Sequence, residues 1–127
     1  GVMTVECVGA SCAGYEGFPT YVIEYAFPSG TQVPPMPSPG IAYRGTQRTA
    51  FLPATPEGTE VLNLLKLSFQ RGLTFAVGES TTTGHRNTTV WNGIHHKTDM
   101  RRGAHGYPDD SYLSRVKEEL AARGVVP

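Results

Sequence analysis

Proline and glycine most constrain how this chain can fold. They supply 25 of its 127 residues, and the residues 28 to 40, "PSGTQVPPMPSPG", hold five of the ten prolines. A proline ring fixes φ and removes a backbone donor, so this run can be neither helix nor central strand. It is either an ordered wrap over the surface or a plain linker, and the density of proline favours the stiff wrap. The rest of the chain must then be built from short elements and long ordered loops, around one core at this length.

Hydrophobic periodicity locates those elements. "TYVIEYAF", residues 20 to 27, sets Tyr21, Ile23, Tyr25 and Phe27 against Val22 and Glu24, which is a half-buried strand. "RTAFLP", residues 48 to 53, is a second extended segment. A helix is predicted from about Pro56 to Gln70, with Thr55 as N-cap, an apolar stripe of Val61, Leu62, Leu65 and Phe69, and Gly72 closing the end. "LTFAVG" and "TTVWN" read as a strand pair flanking a threonine-rich loop. A last helix runs from about Asp110 to Arg123, capped by Asp109 or Asp110, with Tyr112, Leu113, Val116 and Leu120 inward. This order predicts an α+β single domain, a twisted antiparallel sheet with two main helices and long ordered loops.

Eleven basic and eleven acidic side chains leave no global charge for a polynucleotide or a membrane surface. With no apolar run long enough to span a bilayer and no signal peptide, an intracellular protein, cytoplasmic or nuclear, is expected. Cys7 and Cys12 are too few for a disulfide framework or a four-cysteine zinc site and are expected as free thiols.

All four histidines and the only tryptophan fall between residues 80 and 109. Ser80, Thr81, Thr82 and Thr83 offer four consecutive hydroxyls on a loop, able to donate to phosphate or ribose oxygens without adding positive charge, or else simply to cap their own turn. In "IHHKT" the adjacent His95 and His96 point to opposite faces of an extended segment, so one enters a pocket and the other is structural. His105, beside Tyr107 and ahead of a helix, adds an imidazole and an aromatic face for stacking. Between residues 79 and 105 there are two more positive than negative charges, which suits a phosphorylated small molecule.

Three chemistries compete for these residues. A zinc site from His95, His96 and His105 lacks ligand spacing, so no metal is expected. A histidine-dependent phosphodiesterase acting on a nucleotide-like substrate would use the His-x-Thr unit that begins at His96, but needs a second such unit that neither His85 nor His105 begins. The third is a site for a dinucleotide-like ligand.

"GTQRTAFLPATPEGTEVLNLLKLSF", "LTFAVGESTTTG", "TTVWNGIHHKT" and "HGYPDDSYLSRVKEELAARGV" together resemble, in order and spacing, the Deltex C-terminal domain that follows the RING finger in Deltex-type ubiquitin ligases. The joint match of "WNGIHHKT" and "GYPDDSYL" carries most of that resemblance, which runs from about Gly17 to Val125. Residues 1 to 16 are then expected to be an N-terminal segment following the position of a RING, and residues 17 to 127 the domain itself. The resemblance implies binding of NAD or ADP-ribose. It also implies recruitment of ADP-ribosylated proteins or nucleic acids to a RING in cis with a ubiquitin-charged conjugating enzyme, ubiquitin transfer to a ribose hydroxyl, and a link to Notch signalling in some members. The ligand residues it implies are Arg48, Ser80, Thr81, Thr82, Thr83, His95, His105 and Tyr107. His95 would orient the ribose and Glu119 act as general base, although "RVKEELAAR" alone reads as an ordinary charged helix face. Two departures from the family pattern stand out. Only "DMRRGA" separates "HHKT" from "HGYP", where members usually carry a longer insert, and Gly93 replaces a residue that is usually acidic.

Overall fold

The computed structural model describes residues 1–78 and 87–127. Its centre is a three-stranded antiparallel sheet. β1 (Val2–Val8) and β5 (Thr46–Pro53) flank β2 (Thr20–Phe27). Alternation along β2 sends Ile23 and Tyr25 into the core with no exposed surface, while Glu24 and Ala26 face out. On β5 the same period of two buries Ala50 and Leu52.

The expected boundary at residue 17 is not a boundary in the fold. β1 pairs with β2 along its whole length, from Val2 opposite Ala26 to Val8 opposite Thr20, and Met3 and Val5 pack on the core. Beyond β1, Cys12 is fully buried, Thr20 Oγ1 donates to the Ala10 carbonyl at 2.8 Å, and the Ala13 amide donates to the Met100 carbonyl at 2.9 Å. Residues 1 to 16 belong to the domain, and β1 is an outer strand whose half-buried Met3 and Val5 alternate with the exposed Thr4 and Glu6. Cys7 and Cys12 are both free thiols.

The proline-rich stretch is an ordered hairpin. Two short strands, β3 (Gly30–Thr31) and β4 (Ala42–Tyr43), pair antiparallel at its base. Its anchor is Gln32, 1% exposed, whose side-chain nitrogen donates to Asn87 Oδ1 at 3.0 Å and whose oxygen accepts from the Ser38 amide at 3.0 Å. A buried amide with both ends bonded costs little, and it ties the loop to Asn87, whose backbone carbonyl also accepts from the Arg44 amide at 2.8 Å.

Helix α1 (Pro56–Gln70) begins where the sequence places it. Thr55 Oγ1 accepts from the Gly58 amide at 3.0 Å, and Pro56 occupies the first turn. Gly58 is required there, since a Cβ would run into the Pro53 carbonyl. Val61, Leu62, Leu64 and Leu65 are buried toward the sheet and α2 (Tyr112–Ala121). Helix α2 buries the predicted Tyr112, Leu113, Val116 and Leu120, each contributing about 1.5–3 kcal/mol of apolar transfer before entropic costs. It is shorter than expected and its N-cap is Ser111, without a side-chain cap bond. Asp109 instead holds the residue before the helix, since its Oδ1 accepts from the Ser111 amide at 3.3 Å while Lys97 and Arg115 take its Oδ2.

The last pair, β6 (Phe75–Gly78) and β7 (Thr88–Trp91), is an antiparallel ladder as predicted, with Phe75 opposite Trp91. Among the described residues the antiparallel pairing is thus divided among three small sheets rather than one continuous twisted sheet. Among the described residues no helix is long and apolar enough to cross a membrane.

Candidate functional site

After Trp91 the chain turns through Gly93 (φ +79) and runs extended along residues 94 to 98. The left-handed turn explains the glycine, and a Cβ there would strike the Arg123 guanidinium. Ile94 is buried, the Phe51 amide donates to the Lys97 carbonyl at 2.8 Å, and the Tyr112 hydroxyl donates to the His95 carbonyl at 2.7 Å. The segment is therefore fixed to both β5 and α2, and its side chains alternate between α2 and β2.

His96 turns toward β2. Its Nδ1 lies 2.9 Å from the Ile94 carbonyl, which only accepts, so Nδ1 carries the proton and Nε2 accepts from the Tyr25 hydroxyl at 2.8 Å. Its ring stacks on Trp91 at 4.3 Å, and Trp91 stacks on Phe75 at 4.5 Å. Burial pushes its pKa down to about 4, against smaller upward pulls from the Ile94 carbonyl and the Glu119 charge.

His95 turns the other way, and its ring is 78% exposed. Glu119, on the third turn of α2, grips it twice. Oε1 accepts from the His95 amide at 2.8 Å and Oε2 lies 2.6 Å from Nδ1. Glu119 is therefore no free surface carboxylate. Lys97, 8% exposed, reaches the carboxylate of Asp109 at 2.9 Å and sits over the Tyr112 ring, 5.4 Å from its centre. The Lys97 hydrogen bond, helped by Arg115, holds the Asp109 carboxyl well below the usual carboxylate range. This charged cluster docks the start of α2 onto the segment.

Beside the segment lies a cleft of about 730 Å³, whose lining includes Arg48, His95, His96, Thr98, His105 and Trp91. Three of the expected ligand residues, Arg48, His95 and His105, are brought together here. The short loop before His105 still delivers it, because the Thr98 and Asp99 amides donate to its carbonyl at 3.0 and 3.1 Å, and the Tyr107 amide closes the loop on the Arg101 carbonyl. Ser80, Thr81, Thr82 and Thr83 lie outside the described residues, as does His85. Glu119 does not line the cleft but stands behind His95.

Tyr107 offers no stacking face. It is 1% exposed, its hydroxyl donates to the Phe51 carbonyl at 2.7 Å, and Tyr15 and Tyr112 pack edge-on against its ring. A tyrosine with its one donor satisfied inside the core is a packing residue. Sequence reasoning missed Trp91 and Thr98 at the cleft and the Lys97–Asp109 pair. Trp91 could have been marked as the single tryptophan immediately ahead of the histidines, whereas nothing local signals that Lys97 is buried. Among the described residues, no three His, Cys, Asp or Glu side chains gather as metal ligands.

The fold and this site define a class already suggested by the motifs, and comparison with known proteins agrees. The Deltex C-terminal domain family profile matches residues 1–125, and the chain belongs to that family. Among its relatives, the probable E3 ubiquitin-protein ligase DTX3 of Homo sapiens is 50% identical over 113 residues, covering 87% of this chain and 33% of that protein. The E3 ubiquitin-protein ligase DTX1 of Xenopus laevis is 43% identical over 130 residues, covering 99% of this chain and 21% of its own length. DTX4 of Mus musculus, also an E3 ubiquitin-protein ligase, is 41% identical over 129 residues, covering 98% and 21%. The chain thus spans a third or less of the length of these relatives.

Proposed function

We propose that this domain binds ADP-ribose, free or as part of NAD, in the cleft beside His95. In a Deltex-type ubiquitin ligase it would recruit ADP-ribosylated proteins or nucleic acids to a RING and its charged conjugating enzyme. The same site would promote ubiquitin transfer to a ribose hydroxyl. The observation that carries this reading is the convergence of one guanidinium, Arg48, and two imidazoles, His95 and His105, on a cleft whose wall is the aromatic Trp91–His96 stack. A cation serves phosphate, imidazoles serve ribose hydroxyls, and a flat aromatic wall serves a base or nicotinamide. The relatives, named as E3 ubiquitin-protein ligases, support the ligase context.

The phosphodiesterase reading loses its acid–base pair in this geometry. His96, which begins the His-x-Thr unit, has both nitrogens bonded within the protein and its proton affinity lowered by burial. Calorimetry with ADP-ribose, NAD and AMP tests the proposal. ADP-ribose and NAD are expected to bind with Kd of about 1–50 μM, or about −6 to −8 kcal/mol, and AMP more weakly. Binding should survive chelator, and ADP-ribose should be recovered intact after long incubation. Folded protein that gives no heat with millimolar ADP-ribose would remove the proposal.

A further inference from the structure

We propose that Arg123, leaning over Gly93 at the edge of the cleft, is a phosphate subsite, and that it makes the domain prefer ligands bearing a phosphate ester on the ribose nearest His95. This rests on the reading above that an ADP-ribose unit occupies the cleft, and adds to it a charged substituent that the unit itself lacks.

Arg123 owes its availability to an ion pair that is not made. Glu119 on α2 and Arg123 just past its end stand four residues apart, the spacing at which a glutamate ordinarily pairs with the arginine after it. Both Glu119 oxygens are instead engaged by His95, one by the amide at 2.8 Å and the other at Nδ1 at 2.6 Å. Glu118 lies in the groove beside α1 with Glu60 and Lys117. The Arg123 guanidinium is left without a hydrogen bond or ion pair among the described residues. It rests against Gly93, which lines the cleft beside His95. A left-handed turn alone would accept asparagine or aspartate, but any Cβ there would strike the guanidinium, so the glycine also leaves it room.

The backbone under Arg123 is fixed. Val125 is fully buried and donates its amide to the Leu120 carbonyl at 2.9 Å, with Gly124 in the left-handed region (φ +78). Arg71, at the end of α1, donates from Nη1 to the Gly124 carbonyl at 2.9 Å and has no carboxylate partner among the described residues. Two guanidiniums without carboxylates thus meet where α2 ends, whereas Arg48 reaches the cleft from β5. A diphosphate held by Arg48 leaves Arg123 for a further phosphate, and the planar fork of a guanidinium matches two oxygens of a phosphate ester.

Calorimetry on this chain with ADP-ribose and two phosphorylated probes tests the assignment. ADP-ribose 2′-phosphate carries the ester on the adenosine ribose, and ADP-ribose 1″-phosphate carries it on the other. The probe whose ester falls beside His95 should bind about five- to twentyfold more tightly than ADP-ribose at low salt, and which probe shows the gain identifies that ribose. The ratio should shrink as salt is raised, because the contact is at the surface. In Arg123→Gln the ratio should collapse to about one. Gly93→Asp should lower it likewise by giving the guanidinium a carboxylate at its side while the arginine remains. A wild-type ratio of about one for both probes overturns the subsite, as does a ratio that survives Arg123→Gln or Gly93→Asp in folded protein. ADP-ribose binding with no gain from either phosphate sinks the subsite alone, whereas no heat from ADP-ribose or either probe removes the ligand reading and the subsite with it.

Discussion

His96 and His95 are consecutive residues on one extended segment, yet the first has both ring nitrogens bonded inside the protein while the second gives one to Glu119 and turns the other outward. The difference comes from strand-like alternation, not from residue type. An odd position on the segment meets α2 and its acidic side chains. The even position meets Tyr25 of β2, which forms a continuous aromatic body with Trp91 of β7 and Phe75 of β6. One imidazole is thus a structural part that happens to edge the cleft, and the other is an exposed one held in place by Glu119. Every expectation about substitution or pH should split along this line.

The largest effect on stability belongs to the inner side. Tyr25 is fully buried, is in ring contact with Phe69, Phe75, Trp91 and His96, and supplies the hydroxyl that His96 accepts. Tyr25→Ala should cost about 3–5 kcal/mol by opening a cavity and orphaning the imidazole. Denaturant unfolding followed at Trp91 checks it. An unfolding free energy lowered by less than about 1 kcal/mol would mean that the aromatic body is not the keystone of the site's inner wall.

A pH titration sharpens the same contrast. His96 has an ordinary value of 6.5 in the unfolded chain and about 4 in the folded one. Between those values the unfolded state binds the proton first, so stability is fully present above pH 6.5 and falls as pH drops toward 4. The displacement corresponds to about 3 kcal/mol in a dry site. Water at the cleft edge of the ring reduces the expected loss to about 2 kcal/mol. His96→Gln should flatten this slope. The contribution of Asp109, whose carboxyl is depressed below 3.8, is lost only at lower pH and leaves this window clear.

Much of this contrast was legible in the sequence, because it depends on short-range periodicity. Alternation of His95 and His96 follows from strand geometry, the stripe of α2 from a period of 3.6, and the bounds of α1 from Thr55 and Pro56. What escaped depends on contacts far apart in sequence. Tyr107 looks like a loop aromatic beside a ligand histidine, and only the packing of Tyr15 and Tyr112 against it makes it core. Residues 1 to 16 look like a lead-in until β1 finds β2, and Glu119 looks like any exposed helix glutamate until the segment 24 residues earlier is laid against it. Lys97 is buried only because Asp109 comes to meet it.

The smallest effect on stability should come from the outer imidazole, and it is the most informative. His95→Ala removes a ring that is 78% exposed, and Glu119 keeps its bond to the residue 95 amide, which does not depend on the side chain. Unfolding free energy should change by no more than about 0.5 kcal/mol, the range of surface substitutions. ADP-ribose affinity should nevertheless fall by about five- to tenfold, since a lost hydrogen bond to a ligand hydroxyl is worth about 1–1.5 kcal/mol. Stability and binding would then separate completely at residue 95, whereas at Tyr25 they would fall together. Parallel unfolding and calorimetry on His95→Ala read both quantities from one preparation. A variant destabilised by 2 kcal/mol or more would put His95 in the same structural role as His96. A variant of wild-type stability and wild-type affinity would instead place the ligand on His105 and Arg48, away from the Glu119 side of the cleft.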